Sequence, residues 1–292
     1  MSKIIQTKNP LNPIQVTDGF ESRSEKRVLI VGGWEQNPVL VQRFQDELLA
    51  RGVASAAFSG FDTIDPRISE DEVLENECVQ HVRGYDAFVA SLPPRMVLRA
   101  LATAEMTRVL MEECQLNPVS FPTRISTHCA GANVYLLARY LELRAGHLRL
   151  LPSSGVLFEP MIAEGRAVMD VAKQNMKHEK QAKSDARYIS LASMRHPDAV
   201  NLGFDGKLPM SDILDSRGLA LLGHNTLANA KLSVVLGYED IAAPDSLMHD
   251  ISGMALDIPV SRYRTDAHSE RFGHGYLFAE PTRVAEYLAS VL

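Results

Sequence analysis

The sequence predicts an α/β fold, in which a mostly parallel sheet is covered by helices on both faces. Short apolar runs of strand length alternate along the chain with longer segments whose apolar residues recur at helical spacing. Glycine and proline residues separate the two kinds of segment. This alternation is typical of parallel sheets, because each parallel strand needs a crossover connection, usually a helix, to reach the next one.

The predicted elements follow one another without an internal repeat or a low-complexity tract. The predicted strands cover residues 27–31, 53–58, 85–92, 121–126, 155–158, 231–236 and 258–264. The predicted helices cover residues 38–51, 69–82, 97–115, 132–143 and 282–292. Two of the strands lead directly into glycine-containing turns, at Gly32-Gly33-Trp34 and at Thr127-His128-Cys129-Ala130-Gly131.

The chain divides into three predicted regions. Residues 1–26 show no clear periodicity and are interpreted as an N-terminal leader or an irregular edge. Residues 27–160 and 229–292 carry the alternating pattern and form the predicted core. Residues 161–228 are rich in Met, Lys, His, Asp and Asn and have weak strand signals, so we expect an inserted, mostly helical cap.

Composition limits the classes of function. The formal net charge of −6 over 292 residues gives no basic surface for nucleic acid and no attraction to anionic membranes. The three cysteines are odd in number and have no metal-ligand spacing, which favours a reducing compartment. No apolar run reaches signal or membrane-span length, so a cytoplasmic location is expected. No glycine loop that would cradle a phosphate is present, and no cofactor is expected.

The turn around Cys129 carries the strongest chemical signal. In an open α/β sheet, reactive groups sit in turns at the carboxyl ends of strands. A nucleophile on a sharp strand-to-helix turn needs small residues two positions before and after it, where Thr127 and Gly131 stand. The turn would place the thiol at a helix N-terminus, where the dipole favours the thiolate, and would aim the Ala130 amide at a developing oxyanion. The other cysteines, Cys78 and Cys114, are expected to be structural.

This turn resembles the nucleophile elbow of the α/β-hydrolase superfamily, with Cys in place of the usual Ser. The resemblance implies an α/β-hydrolase fold and extends over residues 27–292 apart from the cap. Residues 31–34 resemble the turn after the family's third strand, which implies that the Trp34 amide is the second oxyanion donor. Residues 237–244 resemble the acid-bearing loop, which implies Asp240 as the acid. Residues 273–281 resemble the histidine loop, which implies His274 as the base.

Competing assignments exist for two members of this triad. His268 is the nearest rival to His274, while His128 is expected to point into the packing of the elbow. The acid has three further candidates, Glu239, Asp245 and Glu159, the last of which follows an earlier strand. Five methionines of the predicted cap are expected either to line an apolar pocket or simply to pack: Met161, Met169, Met176, Met194 and Met210.

The resemblance and the chemistry of sulfur predict a thioesterase, or an acyltransferase or cyclase, that works through an acyl-thioester on Cys129. Such an intermediate can pass its acyl group to an alcohol, an amine or a carbon nucleophile as well as to water. A coenzyme A or acyl carrier protein thioester would then be the donor. Two alternatives remain: a lactone or ester hydrolase of the dienelactone-hydrolase type, and a binding protein with a vestigial triad. The sequence carries no indication of the acyl chain, the acceptor or the oligomeric state.

Overall fold

The sheet and most of its helices lie in the part of the chain that the computed structural model describes. These residues are 3–9, 12–22, 26–33, 38–65, 67–117, 123–146, 150–162, 217–237, 245–254, 256–263 and 281–292.

Eight strands form one sheet in the order β1-β2-β4-β3-β5-β6-β7-β8. They are β1 (Lys3–Ile5), β2 (Ile14–Val16), β3 (Arg27–Gly32), β4 (Ala54–Ser59), β5 (Thr123–His128), β6 (Ser154–Phe158), β7 (Lys231–Gly237) and β8 (Val260–Tyr263). Strand β2 is antiparallel to both of its neighbours, and every pairing from β4 to β8 is parallel. The predicted α/β class with a mostly parallel sheet is confirmed.

Helices cover both faces of this sheet. They are α1 (Pro38–Leu49), α2 (Glu70–Glu75), α3 (Glu77–Tyr85), α4 (Ala87–Ala90), α5 (Pro94–Glu113), α6 (Gly131–Ala145), α7 (Gly218–Leu227), α8 (Asp245–Gly253) and α9 (Pro281–Val291). Among the described residues, no helix is both long and apolar enough to cross a membrane.

The alternation of side chains along β3 divides the hydrophobic core into two layers. Leu29 and Val31 join the larger cluster, which also contains the buried residues of α5, α6 and α7. Val28 and Ile30 point the other way and pack with buried residues of α1 and α9. Because every residue of β3 is buried, this central strand is covered on both faces. The carboxyl ends of β3 and β5 therefore emerge side by side from a rigid layer.

Two sequence expectations are corrected by the structure, and a third is narrowed. Of the two alternatives for residues 1–26, a leader or an irregular edge, the structure agrees with the edge, because β1 and β2 extend the sheet there. The strand expected over 85–92 is instead the end of α3 and the short helix α4, which Asp86 caps through the amides of Phe88 and Val89. Part of the predicted cap also belongs to the core: α7 packs on α6, and Asn225 donates a hydrogen bond to the Leu136 carbonyl. Residues 163–216 of that region lie outside the described residues.

Candidate active site

The turn after β5 has the geometry of a nucleophile elbow. The strand ends at His128, Cys129 has a left-handed φ of 57°, and α6 begins at Gly131. A single left-handed residue between a strand and a helix reverses the chain sharply and costs a non-glycine residue on the order of 1 kcal/mol or more. Such strain at a chemically reactive side chain is typical of functional sites. The predicted turn at Cys129 is confirmed in its backbone conformation.

Gly131 is required because the start of α6 presses against the end of β3. A Cβ atom at this position would lie 2.3 Å from the Gly32 carbonyl oxygen and 2.5 Å from that of Val31. Both contacts are with backbone, which cannot move aside as a flexible side chain can. The small residue expected two positions after the nucleophile is therefore explained by the close approach of helix and strand.

The loop after β3 lies directly against the nucleophile. A Cβ atom at Gly33 would lie 2.7 Å from the Cβ of Cys129 and 3.2 Å from its Sγ. The Cys129 side chain is only 4% exposed, so the bare backbone of Gly33 forms one wall beside the sulfur. This is the loop whose next residue, Trp34, is implied by the resemblance to be an oxyanion donor; Trp34 itself lies outside the described residues.

A buried network behind this loop fixes the orientation of the Gly33 carbonyl. The Ser59 hydroxyl, at the end of β4, lies 2.5 Å from the Gly33 oxygen and 2.6 Å from the Asp62 carboxylate. Asn12 holds the main chain of Ser59 from both sides, donating to its carbonyl and accepting from its amide. These residues are not among the candidates predicted from the sequence, although a polar residue at the carboxyl end of a strand is itself a signal for a site residue.

A second left-handed turn follows β6, beside the elbow. His128 is opposite Phe158 in the β5–β6 register, and the next residue after Phe158, Glu159, has a φ of 46°. The Glu159 carboxylate Oε2 lies 3.0 Å from His128 Nε2, and the two side chains are 0% and 2% exposed. His128 therefore does point into the packing, as expected, and its partner there is the carboxylate of Glu159.

Met161 completes the surroundings of the thiol. Its Sδ lies 3.2 Å from Cys129 Sγ, and its amide donates to the Cys129 carbonyl at 3.3 Å. Asn133, on the first turn of α6, donates from Nδ2 to the Met161 carbonyl at 2.7 Å. The strand ends of β5 and β6 are thus joined by side-chain and main-chain contacts around a single thiol.

Four of the residues predicted for the site lie outside the described residues: Asp240, Glu239, His274 and His268. Asp245 is the first residue of α8. Of the predicted site, the structure describes Cys129 and Ala130, which are consecutive in the chain. The catalytic roles of these two residues, like those of Asp240, His274 and Trp34, stay predictions.

The comparisons with known proteins support the fold. No protein-family model and no curated protein matches the sequence. Among solved structures, a thioesterase domain from the curacin biosynthetic pathway has a TM-score of 0.51 at 15% identity, covering 100% of this chain and 98% of that chain. The fold is the α/β-hydrolase fold. A Pyrobaculum calidifontis esterase has a TM-score of 0.54 at 12% identity, covering 100% of this chain and 85% of that chain. A thermostable carboxylesterase cloned from a metagenomic library has a TM-score of 0.53 at 13% identity, with coverages of 100% and 87%.

Proposed function

We propose that this protein is an ester or thioester hydrolase or acyltransferase of the α/β-hydrolase type, with Cys129 as its covalent nucleophile. The observation that carries the proposal is the left-handed backbone of Cys129 between β5 and α6. That conformation costs energy, and it presents the side chain at the carboxyl edge of the sheet, where enzymes of this fold carry their nucleophile. The matched thioesterase domain and esterases support the same reaction class.

In the proposed mechanism the Cys129 thiol transfers its proton to His274, and Sγ attacks the carbonyl carbon of the acyl donor. Asp240 orients the imidazole. The amides of Ala130 and Trp34 stabilise the oxyanion, with each donor contributing about 3–4 kcal/mol in enzymes where it has been removed. The bond to the leaving alcohol or thiol breaks, and the leaving group takes the proton from His274. Water or an acceptor nucleophile then attacks the acyl carbon and gives its proton to His274; the bond to Sγ breaks, and the proton returns from His274 to the Cys129 thiol.

A thioester donor is the preferred substrate in this proposal. Exchange of one thioester for another conserves the energy of the acyl bond, so a cysteine nucleophile suits a donor carried on coenzyme A or on an acyl carrier protein. With three cysteines and no disulfide among the described residues, we place the enzyme in the cytoplasm, where such donors are present. Simple hydrolysis of an ester or lactone is the second candidate, and the esterases among the matched structures favour it.

The test is the intact mass of the protein after brief incubation with a panel of acyl thioesters and esters. We expect an acyl-sized mass gain that peptide mapping locates on Cys129, and loss of turnover by roughly a thousandfold or more in Cys129→Ala. Cys78 and Cys114 are internal controls: Cys78 is exposed, and burial raises the pKa of Cys114 to about 11, which keeps its thiol unreactive at neutral pH.

Two further results separate the candidate functions. A transferase turns over faster when an acceptor alcohol, amine or thiol is added, whereas a hydrolase does not. Absence of any adduct at every quench time, together with equal turnover in Cys129→Ala, would reject the covalent mechanism. Ligand binding that survives under those conditions would support a non-catalytic binding protein instead.

A further inference from the structure

The space next to the Cys129 sulfur is occupied by the side chain of Met161. The two sulfur atoms are 3.2 Å apart, which leaves no room for a third atom between them. Both residues are buried, with 4% of Cys129 and 2% of Met161 exposed. Any group that becomes bonded to Sγ on this side must displace the thioether.

The main chain of Met161 is fixed, whereas its side chain can move. Its amide is bonded to the Cys129 carbonyl, and its carbonyl is bonded to the buried Asn133 side chain, whose exposed fraction is 0%. These two hydrogen bonds tie the residue to the elbow itself, so it cannot retreat without distorting the turn. A methionine side chain, however, is unbranched and has several rotatable bonds, so it can fold aside at low cost.

Backbone also closes part of the space around the sulfur. Gly33 lies so near that even a Cβ atom on it would be 3.2 Å from Sγ. Of the two walls that the structure describes beside the thiol, the one at Gly33 is held in place and the one at Met161 is adjustable. Of these two walls, only the one at Met161 can adjust to the size of a group bonded to the sulfur.

We propose that Met161 is the specificity-determining residue for the acyl group, and that it selects acyl groups that are unbranched next to the carbonyl. This inference rests on the proposed function of Cys129. In an acyl-thioester, the α-carbon is two bonds from Sγ and its substituents are three bonds away, which is the region that the Met161 sulfur occupies. The α-carbon of a linear chain carries one carbon substituent, which needs space in one direction only. The α-carbon of a branched chain carries two, which need space in two directions.

The first test measures the thiol directly, without any acyl transfer. Iodoacetamide and the bulkier N-phenylmaleimide are reacted with the protein, and peptide mapping gives the alkylation rate at Cys129. The same rates at the exposed Cys78 correct for the intrinsic reactivity of each reagent. Met161→Ala should raise the corrected ratio of the bulky to the small reagent by about tenfold or more, the scale on which a pocket discriminates by a methylene or two.

Two further variants control for size and for stability. Met161→Leu keeps a similar volume and should leave the ratio close to that of the parent, which separates steric hindrance from any property of the thioether. Met111→Ala makes the same truncation at a methionine on α5 that is 3% exposed and outside the site. It should destabilise the protein to a comparable degree and leave the ratio unchanged. An unchanged ratio in Met161→Ala, or an equal rise in Met111→Ala, would overturn the inference.

The second test uses the reaction itself and compares kcat/KM for butyryl and isobutyryl thioesters. Met161→Ala should improve the isobutyryl donor relative to the butyryl donor by about tenfold. Acylation of Cys129 with no change in this preference would reject the role of Met161 and leave the proposed function standing. A shift in the alkylation ratio without acylation by any thioester would reject the proposed function and leave Met161 as the steric wall of the thiol.

Discussion

Substitution of Glu159 by alanine should destabilise this protein more than any surface charge change. The Glu159 carboxylate and the His128 imidazole are 3.0 Å apart, and neither side chain is more than 2% exposed. Removal of the carboxylate leaves His128 buried without this hydrogen-bond partner, and the loss of one partner of a buried hydrogen bond costs about 1–3 kcal/mol, or more where that partner is charged. Because Cys129 follows His128 directly and its amide bonds to the Phe158 carbonyl, the loss should also disturb the thiol.

The measurement is the free energy of unfolding from urea titrations. The slope of this free energy against urea concentration should be the same in all variants. Glu105→Ala is the matched control, because it breaks an exposed pair with Arg108 whose side chains are 43% and 46% exposed. Exposed pairs contribute about 1 kcal/mol or less. Glu159→Gln keeps the volume and one acceptor oxygen, so it should fall between the two alanine variants.

The functional readout is the iodoacetamide alkylation rate at Cys129, measured where each variant is fully folded. Glu159→Ala should change this rate, while Glu105→Ala should not. If Glu159→Ala costs no more than Glu105→Ala, the buried pair contributes nothing to the stability of the elbow and the reasoning is wrong.

Two further predictions concern a close contact and a titration. Gly131→Ala should lower the free energy of unfolding, measured by thermal unfolding, by roughly 3 kcal/mol or more, because the added Cβ overlaps backbone. Gly146→Ala is the control: this residue has a φ of 67° and no atom within 4 Å of an added Cβ, so the loss should be about 1 kcal/mol. Equal losses in the two variants would contradict the contact at Gly131. Burial raises the pKa of Asp86, but hydrogen bonds from Tyr140 and from backbone amides, with the charge of Arg144, outweigh it and lower that pKa overall. The associated stability is present above the unfolded-state pKa and disappears as pH falls through the folded one, so Asp86→Asn should lose less stability than the parent between about pH 5 and pH 2.

The position of the elbow could be predicted from the sequence because its requirements are local. A strand, a small residue at the right offset and a following helix all lie within a short stretch around Cys129, and Gly32-Gly33 marks the end of the neighbouring strand. The partnership of His128 with Glu159 could not be predicted, since it depends on the register between β5 and β6. From the sequence alone, Glu159 is recognisable only as a candidate for the triad acid.

The errors in the secondary structure also have physical causes. The apolar residues at 87–90 are too few to distinguish a strand from a helical turn. The Asp86 side chain, which accepts hydrogen bonds from the first amides of this segment, stabilises the helix. The strands β1 and β2 have three residues each and owe their place to pairing with the edge of the sheet. A periodicity test cannot detect elements of that length.

The crowding around the sulfur provides a way to recognise relatives of this protein at low overall identity. Position 129 needs a residue that tolerates left-handed backbone, which disfavours β-branched side chains there. Positions 33 and 131 admit no side chain without a shift in the neighbouring turn. A homologue with a larger residue at either glycine would have to move its nucleophile as well, so these three positions should change together, even where the rest of the sequence has diverged.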